Sequence, residues 1–357
     1  MLVFNRKQQK LATLRMTGTV LDQSATPKTR HQDLDVTPKA QNLTPDTWHL
    51  TPAFMLRSLI LYFSEREGPK TLLTSLPAGR RLANRFIAGE KLDDAVRAVR
   101  QLNAEGFEVT LDHLGESVSD QATAHEACRV YIDLLDRIAA ERLRSHISIK
   151  LTQLGLTISE HLAQRLLGTL CEAAARRHNF VRIDMESSAY VDATLRVFRQ
   201  AAAPRDVLGV VVQSYLYRSQ RDVDELLRDG VRIRLVKGAY QEPRHVAYPH
   251  KKDVDRNFVE IMQKLLLSGF YHGIATHDAH LVAATEAWAR AHQVGADRFE
   301  FQMLYGVQRQ LQRSLLQRGY RVRVYVPYGS QWYAYFMRRL AERPANTLFI
   351  LRQLFQK

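Results

Sequence analysis

Five groups of residues in this 357-residue chain have the type and setting for chemistry. Lys150 stands in Ser148-Ile149-Lys150-Leu151, one cation among apolar neighbours on an extended segment. Such a lysine can be a Schiff-base nucleophile, a carboxylate clamp or a positive charge beside a redox cofactor; otherwise it is a salt-bridged structural lysine. Asp184, in Arg182-Ile183-Asp184-Met185-Glu186, is the matching anion, and an ion pair to a neighbouring strand would itself orient a site. Arg232 and Arg234 alternate with Val231, Ile233 and Leu235, so a strand turns both guanidiniums to one side. In the Lys237-Gly238-Ala239-Tyr240 run that follows, the glycine either lets backbone amides approach a phosphate or makes an ordinary tight turn. Thr276-His277-Asp278 could bind phosphate, move protons or cap the next helix through Asp278. Finally, Tyr325 precedes a segment in which Arg338, Arg339 and Glu342 fall three, four and seven residues after Tyr335, one stripe of a helix. Two adjacent guanidiniums with tyrosines nearby make a bidentate receptor for a small carboxylate with aromatic walls; the plainer reading is an exposed arginine pair.

The elements that must carry these groups alternate regularly. Candidate strands are 108–111, 146–151, 180–185, 207–213, 231–236, 273–276, 299–302 and 321–326. Between them apolar residues recur at helical spacing, as in Ala124, Cys128, Tyr131, Leu135 and Ile138, or Leu281, Ala284, Trp288 and Ala291. Eight strands alternating with helices predict a parallel (β/α)8 barrel, since parallel strands need crossover helices and eight units close the sheet. An open doubly wound sheet would be favoured by a glycine-rich fingerprint after the first strand, and only Gly115 stands there. At or just past the strand ends come Asp112 and Glu116, Lys150, Asp184 and Glu186, Gln213, Arg234 and Lys237, Thr276 to Asp278, Gln302 and Tyr325. That many ionisable groups inside a barrel cost several kcal/mol unless paired or ligand-bound, so a functional C-terminal rim is expected.

Composition narrows the class. The longest run without a charged residue, Val324 to Met337, is 14 residues broken by Pro327 and Gly329, too short for a spanning helix. Two cysteines, Cys128 and Cys171, on helical segments fit a reducing compartment and no disulfide scaffold. Thirteen histidines include no HxH or HxxxH pair, and no metal site is assigned. The net charge of +14 invites nucleic acid, but no run of five basic residues exists and many arginines sit near acids on helical faces, so no nucleic-acid partner is expected. Residues 1–55, polar and proline-punctuated, are read as a loosely ordered leader; the first 16 mildly resemble a mitochondrial presequence, and an N-terminal tail is the simpler reading. An N-terminal helical segment over 56–105 and a catalytic barrel over 106–357 follow.

The strings SIKLTQLGL (148–156), RIDME (182–186), VVQSYLYRS (211–219), RLVKGAY (234–240), ATHD (275–278), FEFQMLYG (299–306), VRVYVPYG (322–329) and YFMRRLAERPAN (335–346) together resemble the bacterial monofunctional proline dehydrogenase family, in order, from about 80 to 357. The resemblance implies a distorted (β/α)8 barrel with its final helix over the mouth, binding FAD and oxidising L-proline to Δ1-pyrroline-5-carboxylate, with electrons passed to a quinone. By motif, Lys150, Arg338 and Arg339 would hold the proline carboxylate, and Tyr240, Leu304, Tyr325 and Tyr335 would surround the ring. Asp184 would orient the site and Arg234 would sit near the flavin N5 region. Met185, Gln213, Val236, Lys237, Gly238, Ala239, Thr276 and His277 would contact FAD, with Glu342 toward the adenine. Glu116 would pair with Arg338 as a gate. The segment 248–255 departs from the family pattern. A cytoplasmic enzyme with transient contact at the inner-membrane surface is expected. Since the chain ends soon after the final helix, the product would pass to a separate pyrroline-5-carboxylate dehydrogenase.

Overall fold

A computed structural model describes residues 83–341 apart from 116 and 202. The leader 1–55 and most of segment 56–105 therefore lie outside the described residues, as do Glu116 and Glu342. After α1 (Leu92–Ala104), strands and helices alternate: β1 (Glu108–His113), α2 (Gln121–Ala140), β2 (Ser145–Ile149), a 3-10 turn (Leu151–Leu154), α3 (Glu160–Arg176), β3 (Val181–Ile183) and α4 (Ser188–Gln200). There follow β4 (Leu208–Gln213), α5 (Ser219–Arg228), β5 (Arg232–Val236), α6 (Lys251–Leu267), β6 (His272–Ala275), α7 (Ala279–Ala291), β7 (Phe299–Leu304), α8 (Arg309–Gln317), β8 (Arg321–Tyr328) and α9 (Trp332–Ala341). The eight strands form a closed parallel barrel in sequence order, as the alternation predicts.

Each expected strand is present, with its ends moved by one or two residues. β2 stops at Ile149 because the chain tightens into the 3-10 turn, closed by Gly155 at φ +84°. β7 and β8 run two residues further than the pattern suggests, so Tyr325 lies inside its strand; Arg234 is the middle residue of β5 and is not at the rim.

Period two sorts the strands into two faces. Val109, Leu111, Ile147, Ile149, Ile233, Leu235, Phe301, Val324 and Val326 are fully buried against the helices, each contributing about 2 kcal/mol of transfer free energy. The alternate residues point into the barrel and are polar, among them Thr110, Ser148, Arg182, Arg234, Glu300, Gln302 and Arg323. The apolar core is thus the layer between sheet and helices, while the interior is a hydrogen-bonded column.

α2 buries the expected stripe Ala124, Cys128, Tyr131, Leu135 and Ile138, and Asp120 caps it by accepting from Thr123 N at 2.8 Å. α7 buries the expected stripe only in part: Leu281 is buried and Trp288 packs half-buried against the core. Its inward face is Leu281, Val282, Thr285, Glu286 and Ala289, with Ala291 exposed. Two polar residues can face inward because Thr285 donates to Leu281 O at 2.8 Å and Glu286 pairs with Arg318 at 3.1 Å.

α1 packs against β8 and β1, the position a helix after β8 would occupy in a regular barrel. α9 instead joins a separate apolar cluster: Trp332, Tyr333, Tyr335, Phe336 and Met337 gather with Ala83, Ile87 and Leu114, the last just past β1. Trp332 Nε1 donates to Glu90 at 3.0 Å, and Ala88 N to Pro327 O at 2.9 Å, fixing this arrangement.

Candidate active site

The centre of the polar column is Asp184, just past β3. Oδ1 accepts from Ser148 Oγ and from Arg234 Nη1, each at 2.8 Å, and Oδ2 accepts from Tyr325 Oη at 2.7 Å. Lys150 Nζ lies 3.9 Å from Oδ2. Residues of β2, β5 and β8 therefore converge on one carboxylate, which only barrel closure permits. Burial together with Asp112 and Asp184 pushes the Tyr325 hydroxyl well above its ordinary value, so it stays a proton donor.

Arg234 is 5% exposed and held on three sides: Nη1 donates to Asp184 and to Ser148 Oγ, the latter at 3.1 Å, and Nε donates to Gln302 Oε1. Its guanidinium also lies 5.4 Å from the Tyr325 ring centre. Gln302 passes the contact on, donating to Glu300 at 2.5 Å. Gly273, paired with Arg234 in register, makes the room: a Cβ there would fall 2.3 Å from Gln302 Nε2.

Lys150 donates to both Asp112 oxygens at 3.1 Å. Burial opposes the ammonium, but Asp112 and then Asp184 outweigh it and raise Lys150 above its ordinary value. A lysine held this firmly protonated is a poor nucleophile, which disfavours the Schiff-base reading.

Around this centre the remaining expected residues form smaller groups. Gly238 sits at φ +122°, and a Cβ would fall 2.3 Å from Tyr215, so the position requires glycine on both counts. Lys237 bridges Asp255 at 2.5 Å and Asp278 at 2.9 Å, with Lys251 completing the cluster. Asp278 also caps α7, accepting from His280 N at 3.1 Å. Buried Gln213 donates to Met185 O at 3.2 Å. His277 Nε2 accepts from Leu304 N at 2.8 Å, which puts the neutral ring's proton on Nδ1. Thr276 is buried beside it, Val236 is half-buried and Ala239 is exposed.

On α9, Arg339 stacks 5.1 Å from the Tyr335 ring centre, within the expected stripe. Tyr335 is buried, Arg339 half-buried and Arg338 exposed. Burial, followed by the nearby Glu186 carboxylate, raises the hydroxyl of Tyr240, which is 38% exposed, above its ordinary value, while Lys150 and Arg338 pull the other way.

A family model described as proline dehydrogenase matches residues 95–352. The chain belongs to that family. It is 41% identical to proline dehydrogenase 1 of Bacillus subtilis over 305 residues, covering 85% of this chain and all of that protein. It is also 41% identical to the proline dehydrogenase of Deinococcus radiodurans, over 77% of this chain and 90% of that one. Among solved structures, proline utilization A from Bdellovibrio bacteriovorus inactivated by N-propargylglycine superposes with a TM-score of 0.73 at 24% identity, over 84% of this chain and 38% of that one, a likeness of fold. As a member of the proline dehydrogenase family the chain is an oxidoreductase acting on a CH–NH bond.

In this proline dehydrogenase family member, Asp112 and Gln302 stand near strand ends in the sequence with nothing there to mark their part in the site. Their partners come from elsewhere in the chain, Lys150 just past β2 and Arg234 on β5. Period-two spacing of Asp112 with Glu108 and Thr110 is the signal that could have marked it as inward-facing.

Proposed function

We propose that this chain oxidises L-proline to Δ1-pyrroline-5-carboxylate, the first step of proline catabolism, with FAD bound in the barrel and a quinone as final electron acceptor. The observation that carries the reading is the convergence of Lys150, Arg234 and Tyr325 on Asp184, with Arg339 stacked on Tyr335 in the helix that follows β8. The names of the curated relatives support it.

The residues present fit FAD. The buried Gln213 Oε1 has no hydrogen-bond partner among the described residues, and the Gly238 turn brings bare backbone beside it on the next strand. Met185, Gln213, Arg234, Val236, Lys237, Gly238, Ala239, Thr276 and His277 would hold the cofactor. When bound, FAD supplies the two-electron acceptor.

The chain's own residues then position and polarise. Arg338, Arg339 and Lys150 hold the proline carboxylate, and Tyr240, Leu304, Tyr325 and Tyr335 wall the ring. Fixing one reacting carbon this way is worth several kcal/mol relative to a bimolecular encounter. Arg234, immobilised by Asp184, Ser148 and Gln302, presents a preorganised positive charge that favours negative charge arriving next to it. The substrate amine reacts as the free base. Asp184 already accepts three hydrogen bonds and both Asp112 oxygens face Lys150, so its proton leaves to solvent.

No helix among the described residues is long and apolar enough to cross a membrane. We place the enzyme in the cytoplasm, with its +14 balance giving transient contact with anionic lipid where the quinone resides, and its product passing to a separate dehydrogenase. An anaerobic absorption spectrum tests the reading: the purified protein is yellow and is bleached by L-proline. A colourless protein, or one whose Lys150 is trapped by borohydride with a carbonyl substrate, overturns it.

A further inference from the structure

The N-terminal mouth of the barrel, at the opposite end from Lys150, opens into a cavity of about 560 Å³. Its lining includes Arg144, His146, Arg232, Tyr271, Arg321 and Arg323. Arg182 lies just behind, 5% exposed, with Nη1 donating to Val210 O at 3.1 Å and to Arg232 O. Gly209 leaves the space for it, since a Cβ there would fall 2.6 Å from Arg182 Nη1.

Two carboxylates oppose these five guanidiniums. Glu300 accepts from Arg323 Nε at 2.7 Å and from Tyr271 Oη at 3.0 Å, and Glu108 lies 3.7 Å from Arg323. Both acids lie closest to Arg323. Arg144, Arg182, Arg232 and Arg321 make no ion pair within 4 Å among the described residues, although Glu300 and Asp206 act on Arg232, and Asp297 and Glu108 on Arg321, from further away. The Phe180 ring has Arg182 at 4.7 Å and Arg232 at 4.4 Å, and Tyr271 has Arg232 at 5.1 Å and Arg321 at 5.7 Å, which holds the guanidinium planes in place. The buried Nε atoms of Arg182 and Arg232 have no hydrogen-bond partner among the described residues. Burial and the guanidiniums of Arg323, Arg232 and Arg182 hold His146 well below its ordinary value, as a strongly positive recess would.

Buried guanidiniums without an ion pair are costly, and planar forks with open Nε donors match oxyanions in charge and geometry. A recess of about 560 Å³ at a barrel mouth suits a small solute and not a duplex or a flat membrane. We propose that this mouth is a binding site for a small polyanion bearing two or more phosphate or carboxylate groups. The electropositive recess is part of the same hydrogen-bonded column as Arg234, through Glu300 and Gln302, so the ligand sits at the far end of the interior that serves the active site.

Calorimetric titration of the full-length cofactor-loaded protein at about 0.15 M salt, with inorganic pyrophosphate in one arm and citrate in the other, tests the proposal and separates phosphate from carboxylate ligands. One saturable site per chain is expected in at least one arm. Arg144→Gln and Arg321→Gln, both on the exposed rim, should each weaken binding by about tenfold or more, and Arg338→Gln at the other end should leave it unchanged. No saturable binding in either arm, binding indifferent to both rim substitutions, or binding lost in Arg338→Gln would overturn it.

Discussion

Tyr325 on β8 donates its hydroxyl to Asp184 Oδ2 at 2.7 Å, a bond that crosses the barrel interior to the end of β3. Because Arg234 and Ser148 occupy the other oxygen, the carboxylate is a junction, and removing its charge strands a buried guanidinium. Asp184→Asn should lower kcat/KM by about 100-fold and destabilise the fold by about 3 kcal/mol. Tyr325→Phe removes one charge-assisted bond, for about 2 kcal/mol. The double variant should lose less than the two single losses combined, measured by denaturant unfolding and steady-state kinetics; strict additivity would show that the two side chains do not act together.

Arg339 rests on the Tyr335 ring, which fixes the guanidinium plane before substrate arrives. Arg339→Met should raise the proline KM by about two orders of magnitude and leave the flavin spectrum intact. Unchanged proline saturation would remove Arg339 from carboxylate binding.

Lys150 titrates above its ordinary value because Asp112 and Asp184 outweigh the cost of burial. A raised folded-state value means the pairing stabilises fully below the ordinary lysine value of about 10.4 and is lost as pH climbs through the higher one. Stability at pH 7 should therefore exceed that at pH 11 by a margin that Lys150→Met removes, read from chemical unfolding at both pH values. Equal margins in the two proteins would contradict the ion pair.

Asp278 shows the opposite sign. Although burial opposes its charge, hydrogen bonds from Lys237 and Lys251 hold it below the ordinary carboxylate value. Its contribution is complete above about pH 4 and disappears as pH falls through the depressed value. Asp278→Asn should flatten the acid limb of the stability profile and weaken the start of α7. A variant that melts with the parent's acid dependence would place the acid-sensitive group elsewhere.

Gly238→Ala tests the turn after β5. The added methyl meets Tyr215, and the left-handed backbone disfavours any side chain, together costing about 2 kcal/mol. Loss of flavin on gel filtration should accompany the lower melting temperature. Full flavin retention with wild-type stability would mean that the turn relaxes freely.

Legibility differed between elements for physical reasons. The strands around Ile147 and Ile233 announced themselves because apolar side chains on their outer face must meet helices, and the same alternation placed Arg232 and Arg234 on one side. α7 misled because Thr285 and Glu286 turn inward, satisfied by Leu281 O and Arg318, and a polarity pattern does not foresee a polar residue with a buried partner. Alternation along the strands could not show that Arg182, Arg232 and Arg323 meet at one opening, because only the register between strands brings them together.

By itself the sequence determined which residues could carry chemistry and the eightfold order of strands, since both follow from side-chain type and local period. Tertiary structure alone decided the pairings: Asp112 with Lys150, Gln302 with Arg234, Tyr325 with Asp184, and α1 in the place beside β8 while α9 packs against residues 83–90. Those contacts join strands dozens to more than a hundred residues apart, and their geometry is fixed only when the sheet closes and sets how far each strand is shifted against the next.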